Sequence, residues 1–318
     1  MSAAGALLTI VMPVFLVVGA GYLSVRIGLF ADAGVDALVR FASGVAVPVL
    51  LFRAMYRLDL GAALDVQHLV SFYAGAAVCF VGAILLARLV WKRRPGEAVA
   101  IGFLAFFSNT VLLGLPIIER AYGPRELEAA YAIIAMHAPF GYLVGIMTME
   151  LSRRDGAPVA VALRRTATAM FHNALTIGLA LGLCVNLLGI DLWEPVEGAV
   201  DMLARAALPV ALFGLGGVLT RYALKREVGE ALMASAFSLI VHPFVAWVLA
   251  AQVFGLPEPF VRAAVVIAAM PTGVNGYIFA EMYGRAVGTA ASSVLLATLL
   301  SVLTITAWLA FLGGAALG

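Results

Sequence analysis

The chain has 318 residues, of which 64% are hydrophobic and only 12% are charged, and its formal net charge is +2. Soluble globular domains carry about 25% charged residues, so this composition excludes an ordinary soluble protein. A small net charge without a basic segment also gives no support for a nucleic-acid partner. The two cysteines, Cys79 and Cys184, lie in separate apolar stretches. They form no Cys-x-x-Cys pair, so we expect no metal site and no cofactor.

Apolar runs bounded by charged residues, glycines or prolines predict ten transmembrane helices, because a spanning helix needs about 20 mainly apolar residues. The fold class is therefore an all-α integral membrane protein. The predicted helices lie near residues 5–25, 36–53, 68–90, 97–119, 127–150, 170–190, 197–219, 229–252, 259–281 and 287–313.

The longest polar interval divides these helices into two sets of five. Residues 1–152 form the first predicted five-helix repeat, residues 153–168 form an arginine-rich cytoplasmic linker, and residues 169–318 form the second repeat. We expect the halves to be related because the same short patterns recur at one offset.

The recurring patterns favour an inverted repeat. Residues 47–52 (VPVLLF) match residues 208–213 (LPVALF) at four of six positions, at an offset of 161. Gly21 and Gly182 are related by the same offset. Five helices are an odd number, so the second half must enter the membrane from the opposite side. Inverted repeats of this kind are typical of secondary transporters, whose sites lie near the bilayer midplane.

The distribution of Lys and Arg predicts the orientation. Loops that follow odd-numbered helices, with their flanks, hold 14 of the 20 basic residues. The positive-inside rule makes these loops cytoplasmic. We therefore expect a multi-pass protein of the cytoplasmic (inner) membrane with both termini on the outer side.

Helix-breaking residues interrupt the fourth and ninth predicted helices at equivalent places. The breaking residues are Gly114, Pro116, Pro271 and Gly273, since proline removes a backbone donor and glycine weakens a helix. Unwound backbone at membrane depth is tolerated where it lines a cavity or meets protein, and a free helix N-terminus favours an anion. Asn109, Thr110, Thr272 and Asn275 would add side-chain donors, which predicts a carboxylate site.

Four further polar or proline positions have more than one interpretation. Pro48 and Pro209 either bend their helices or line the transport pathway. His137 either carries a coupled proton or contacts substrate, or else it is a packing histidine. Arg205 either binds substrate or pairs with Asp201, one helical turn away.

His242 precedes Pro243 in the eighth predicted helix. We expect it to bond the backbone that the proline leaves unpaired.

Four stretches carry a resemblance to a known family. They are SNTVLLGLPI (residues 108–117), AMPTGVNGYIFAEMYG (269–284), LPVALFGLG (208–216) and the His-Pro pair at residues 242–243. On these residues the chain resembles the auxin efflux carrier family, particularly its malonate- and malate-type bacterial members.

The resemblance implies a 5+5 inverted repeat whose fourth and ninth helices are broken and cross at the midplane. Helices 1, 2, 6 and 7 would form a scaffold, often dimeric, and helices 3–5 and 8–10 a mobile transport domain that works as an elevator. The substrate contacts implied by motif match are Asn109, Thr110, Pro116, Pro271, Thr272 and Asn275.

These patterns together predict a secondary transporter of a small organic anion, such as a mono- or dicarboxylate. Its expected partners are that carboxylate, the lipid bilayer and a second copy bound through the scaffold helices. Neither HExxH nor GxSxG nor a Walker A motif is present, so we expect no enzyme. The alternatives are a sodium-coupled organic-anion symporter of the bile acid symporter type and a membrane ligand sensor.

Overall fold

The computed structural model describes residues 3–58, 65–152, 174–222 and 227–313. Within these ranges every regular element is a helix, and one isolated β-bridge joins two non-helical segments. The all-α class predicted from composition is therefore confirmed. The predicted linker, residues 153–168, lies outside the described residues.

We number the helices in chain order, counting a helix with an internal π-turn as one. They are α1 (Ala3–Arg26), α2 (Asp32–Tyr56), α3 (Val66–Leu89), α4 (Pro95–Phe106), α5 (Leu115–Tyr122), α6 (Leu127–Ser152), α7 (Ala174–Leu187), α8 (Glu194–Leu219), α9 (Val228–Val253), α10 (Glu258–Ala268), α11 (Val274–Tyr283) and α12 (Val287–Phe311).

Seven helices among the described residues are long and apolar enough to cross a membrane: α1, α2, α3, α6, α8, α9 and α12. They correspond to seven of the ten predicted spans. The fourth predicted span is divided into α4 and α5, and the ninth into α10 and α11. The sixth corresponds to α7, whose 14 residues cover only about 21 Å. The count of ten spans therefore stays a prediction.

Each of three prolines lies two residues after the end of a widened, π-type helical turn. These turns are Ala42–Ala46, Thr110–Gly114 and Phe237–Val241, and the prolines two residues after them are Pro48, Pro116 and Pro243. A proline lacks the N–H that would bond the carbonyl four residues earlier, and its ring presses on that turn. A local widening accommodates both effects.

The contacts between residues divide the chain into two compact units. Unit 1 consists of Met1–Met12, Asp65–Thr166 and Tyr222–Gly318. Its core surrounds α4, because Gly96 and residues 98–106 are buried, on every side of that helix. Phe103 of α4 stacks on Phe279, with ring centroids 4.0 Å apart, and on Phe107 at 4.7 Å. This packing fixes the end of α4, where the chain leaves the helix.

Unit 2 consists of Pro13–Leu64 and Ala167–Arg221. Glycines let its helices approach to backbone contact: a Cβ atom added at Gly178 would lie 2.3 Å from the carbonyl oxygen of Pro48. The Asn186 side-chain amide donates to the carbonyl oxygens of Met55, Tyr56 and Leu58, at 2.8–2.9 Å. Small residues and interhelical amide bonds are typical of helix packing in membranes.

Candidate functional site

The first interruption lies between α4 and α5, in unit 1. Helix α4 ends at Phe106, and Phe107 and Asn109 have non-helical backbone angles (ψ 88° and 64°). The chain then makes the π-turn Thr110–Gly114 before α5 begins. This interruption agrees with the break predicted from the glycine and the proline in this span.

The second interruption lies between α10 and α11, also in unit 1. Helix α10 ends at Ala268, and α11 begins at Val274 after an extended Gly273 (φ −86°, ψ 173°). Pro271 lies in the middle of this segment and cannot donate a backbone hydrogen bond. We call residues 107–109 and 269–273 together the crossover.

The two interrupted segments bond to each other as a short antiparallel pair. The Asn109 N–H donates to the Pro271 carbonyl oxygen at 2.8 Å, and the Gly273 N–H donates to that of Phe107 at 3.3 Å. Ser108 and Thr272 form the isolated bridge between these bonds. Residues in such a non-hydrogen-bonded position direct their own backbone groups away from the partner segment. Backbone donors of both segments therefore remain for another acceptor.

Both helical segments that leave the crossover lack a capping side chain. The N-cap residues are Asn109 and Gly273, and neither site has a side-chain cap bond. They are close neighbours, because a Cβ atom added at Gly273 would lie 3.5 Å from the Asn109 Cα. First-turn N–H groups have no acceptor in a preceding helical turn. Here those of Thr110 and Gly276 bond the carbonyl oxygens of Ser108 and Gly273, so these two are not available to a ligand. Each helix N-terminus carries roughly half a positive charge. Two such N-termini meeting at one place favour an anion.

The predicted donor side chains lie at the starts of these two helical segments. Asn109 and Asn275 are half-buried, whereas Thr110 and Thr272 are 4% and 1% exposed. The Thr272 Oγ1 atom has no hydrogen-bond partner within the described protein. A buried hydroxyl without a partner is costly, so a ligand group that reached this atom would gain a favourable hydrogen bond.

The predicted helix-breaking residues also lie in this region. An added Cβ atom at Gly114 would lie 2.7 Å from the Ile267 side chain and 3.4 Å from that of Met270, so Gly114 packs against the second interruption. Pro116 and Pro271 are buried. The crossover thus brings together the residues of both predicted segments, with Pro116 further along α5.

Sequence reasoning missed Gly276 as part of the site. A Cβ atom added there would lie 2.7 Å from the Leu104 side chain and 2.8 Å from the Thr272 Oγ1 atom. The absence of a side chain at Gly276 therefore lets the Leu104 side chain and the Thr272 hydroxyl pack against the start of α11, where a methyl group would clash with both. Gly276 lies three residues after Gly273, and no local pattern in the sequence indicates these contacts.

His137 of α6 lies directly behind the crossover. Its ring is 4.6 Å from that of Phe107 and 5.6 Å from that of Phe72. The Ser108 backbone is close enough to interact with the imidazole, but neither ring nitrogen makes a hydrogen bond of acceptable geometry. His137 is thus a buried histidine beside the site.

The expectation for His242 was wrong. Its Nε2 atom lies 3.1 Å from the Phe72 carbonyl oxygen, on α3. The carbonyl that loses its donor to Pro243 is that of Leu239, four residues earlier, and the Trp308 indole N–H donates to it at 3.0 Å. The sequence offered no signal for this pairing because Trp308 is distant in the chain.

Arg205, Pro48 and Pro209 belong to unit 2. The predicted pair of Arg205 with Asp201 is present at 4.0 Å, but Arg205 is 77% exposed. The nearer partners of Asp201 are Arg53 at 2.5 Å and Arg57 at 3.4 Å. Pro48 is buried after a π-turn, whereas Pro209 is exposed within a continuous α8.

Within the described part of the chain, no group of three or more His, Cys, Asp or Glu residues is arranged to hold a metal ion. The crossover itself contains no charged residue, since the first acidic residues beyond it are Glu119 and Glu281. Its polar character therefore comes from backbone amides, hydroxyls and carboxamides.

Known proteins that match this chain over nearly its whole length are membrane transporters. A family model described as "Membrane transport protein" matches residues 6–309. The chain is 26% identical over 310 residues to the "Putative malonate transporter" of Rhizobium meliloti (strain 1021), covering 97% of this chain and 96% of that protein. It is 21% identical to the "Probable auxin efflux carrier component 5a" of Oryza sativa subsp. japonica, covering 91% and 92%.

The family and these relatives are transporters and not enzymes, in agreement with the absence of a catalytic motif from the sequence. Since the family model spans nearly the whole chain, this protein belongs to the auxin efflux carrier family of membrane transport proteins.

Proposed function

We propose that the protein is a secondary carrier of small carboxylate anions across the cytoplasmic membrane. The observation that carries the proposal is the crossover, where two uncapped helix N-termini touch at Asn109 and Gly273. A carboxylate would accept hydrogen bonds from these free amides and from neighbouring side chains. Such charge-assisted bonds are about twice as strong as neutral ones.

The electrostatics of the crossover favour an anion that binds and leaves again. Partial charges of the helix ends attract a carboxylate, but no arginine or lysine lies in residues 107–116 or 269–277. A permanent buried cation would hold the anion strongly and would itself need a partner when the site is empty. We therefore infer binding through the side chains of Asn109, Thr110, Thr272 and Asn275 and through the first-turn amides that make no backbone bond.

We further propose ten spans arranged as a 5+5 inverted repeat. A reciprocal contact in unit 2 supports this arrangement. An added Cβ atom at Gly21 would lie 2.0 Å from the Phe213 carbonyl oxygen, and one at Gly182 would lie 2.2 Å from that of Phe52. The offset of 161 relates Gly21 to Gly182 and Phe52 to Phe213, so each contact is the symmetry copy of the other. Symmetry-related contacts are what two copies of one helical unit would make.

The proposed mechanism is an elevator. Unit 1 contains α3–α6 and α9–α12, and unit 2 contains α2, α7, α8 and most of α1. This division supports a transport domain that carries the crossover and a scaffold that holds position, with a second copy bound through the scaffold. Moving a preformed site as part of a rigid unit keeps its unwound backbone inside protein throughout the cycle.

The effect of the membrane potential on the anion depends on whether the anion is exported or imported. With both termini on the outer side, the basic loops face the cytoplasm. An inside-negative potential then drives an anion outward by about 2.3 kcal/mol per charge per 100 mV. Export needs no coupled ion, whereas import needs a co-transported cation.

A ligand screen tests the proposed function. Thermal unfolding of the purified protein is measured with malonate, other mono- and dicarboxylates, and neutral amides of the same size, with and without sodium. We expect carboxylates to raise the unfolding temperature, because a ligand that binds only the folded state stabilises it, and amides to have no effect.

Uptake of radiolabelled malonate into liposomes then separates a carrier from a sensor. Transport is expected for a carrier, whereas a sensor would bind without transport. An absolute requirement for sodium would instead indicate the bile acid symporter type. Stabilisation by none of the carboxylates would contradict the proposal.

A further inference from the structure

Two histidines and two phenylalanines form a closed group behind the crossover. We call Phe72, Phe107, His137 and His242 the histidine pocket. The Phe72 ring lies between the imidazoles, 5.6 Å from His137 and 4.6 Å from His242, and Phe107 covers His137 from the crossover side at 4.6 Å. Both histidines are nearly fully buried, at 3% and 0% exposure.

The hydrogen bonds show which ring nitrogen of His242 carries the hydrogen, but they do not show this for His137. The partner of His242 Nε2 is a carbonyl oxygen, which can only accept. That nitrogen therefore carries the hydrogen, and the Nδ1 atom, which has no partner, keeps a lone pair. In His137 both ring nitrogens lack a partner, so one N–H and one lone pair are available.

His137 of α6 is surrounded by residues of the crossover, α3 and α9. Phe107 and Ser108 face it from the crossover, Phe72 from α3 and His242 from α9. His242, on the other side of the Phe72 ring, is the second histidine near His137.

Two tyrosines are the other titratable groups in this neighbourhood. Tyr73 of α3 donates its hydroxyl to the Ile133 carbonyl oxygen at 2.6 Å. Tyr142 of α6 has its ring centroid 5.5 Å from that of Phe107. Neither supplies a negative charge to His137, because a tyrosine ionises only near pH 10.

This environment disfavours a lone charge of either sign. A buried imidazolium without a counter-ion is costly, and so is a buried carboxylate without a cation. The two charges stabilise each other when both are present, since their attraction is strong where water is excluded. Proton and anion would therefore bind together more readily than either binds alone.

We propose that His137 is the site of a co-transported proton. The inference deepens the proposed function and rests on it, because the anion must occupy the crossover in front of His137. On loading, a hydronium ion of the external solution gives its proton to the free ring nitrogen of His137, so that an N–H bond forms, an O–H bond breaks and water is released. The loaded unit then carries one positive charge more than with the anion alone. His242 stays neutral, because two imidazolium ions on either side of the Phe72 ring would repel each other.

Proton and substrate movements in liposomes test the proposal. Reconstituted protein is given radiolabelled malonate outside, and a pH-sensitive dye inside reports proton entry. Protein-free liposomes measure passive permeation of malonic acid. The compared proteins are the wild type, His137→Gln and His68→Gln. Glutamine keeps a hydrogen-bonding side chain but cannot be protonated. His68 is a matched control, because it is equally buried and bonds the Ala129 carbonyl oxygen at 3.0 Å.

The expected result is one proton entering with each malonate in the wild type and in His68→Gln. His137→Gln should lose this proton entry and the increase of uptake rate with external acidity. Proton entry that persists in His137→Gln would overturn the assignment to this residue. If that variant does not fold, the wild-type ratio still decides, because malonate uptake without proton entry would overturn the proton site and leave the carrier function intact. Uptake of no carboxylate by the wild type would overturn the proposed function itself.

Discussion

Gly182 packs directly onto the backbone carbonyl of Phe52, so that an added Cβ atom would lie only 2.2 Å from the carbonyl oxygen. Backbone cannot rotate aside as a flexible side chain can, so even one methyl group must push α7 and α2 apart. Overpacking of this kind costs about 1–3 kcal/mol. The contact therefore makes a simple prediction for stability.

We expect Gly182→Ala to lower the thermal unfolding temperature in detergent. Gly198→Ala is the matched control, because Gly198 lies in the same unit and a Cβ atom there would meet nothing within 4 Å. The control should be neutral or slightly stabilising, since alanine favours a helix over glycine. Equal unfolding temperatures for the two variants would show that the close approach is not required.

Asn275→Ala and Asn109→Ala should each weaken malonate binding by about 1–3 kcal/mol, because each removes a hydrogen bond to a charged group. Calorimetric titration of purified protein gives the affinity. Asn186→Ala is the contrasting variant: its amide bonds three carbonyl oxygens in unit 2, so it should lower stability and leave affinity unchanged. Affinities at the wild-type level for both crossover variants would move the site elsewhere.

Sequence patterns predicted the interruptions but not their contacts. Proline and glycine have strong local effects, so the breaks around Pro116 and Pro271 were visible in the chain. The bond from the Asn109 N–H to the Pro271 carbonyl oxygen depends on tertiary packing, and no local pattern encodes it. For the same reason the Trp308 bond to Leu239 and the preference of Asp201 for Arg53 were not predicted. Long side chains reach partners that sequence spacing does not indicate.

An ion pair in unit 1 predicts a second stability effect. Glu230 is 4% exposed, and Arg93 donates to its Oε1 atom at 2.7 Å. Arg93→Gln leaves the carboxylate buried without its cation, which should cost about 1.5–3 kcal/mol and lower the unfolding temperature. Lys92→Gln removes the same charge from a neighbouring exposed side chain and should have little effect. Adding Glu230→Gln to Arg93→Gln should restore part of the loss, and a double variant less stable than the single one would argue against this pair.

The start of α1 is tied to unit 1 by Arg120. Pro13 has no N–H, so the Thr9 carbonyl, four residues earlier, lacks its helical donor. Arg120 Nη2 donates to that oxygen at 3.2 Å, and Nε donates to the Ile10 carbonyl oxygen at 2.9 Å. Met1–Met12 accordingly belong to the same unit as Arg120, and the chain enters unit 2 at Pro13.

If the proposed transport domain moves as one body, residues 10 and 120 move together. Cysteines placed at Ile10 and Arg120, with Cys79 and Cys184 replaced by alanine, can be joined by a short bifunctional thiol reagent. We expect malonate uptake by the crosslinked protein to equal that of the same variant before crosslinking, with the single-cysteine variants as controls for the substitutions. Loss of uptake on crosslinking alone would mean that α1 slides past Arg120 during the cycle, and the first turns of α1 would then belong to the scaffold.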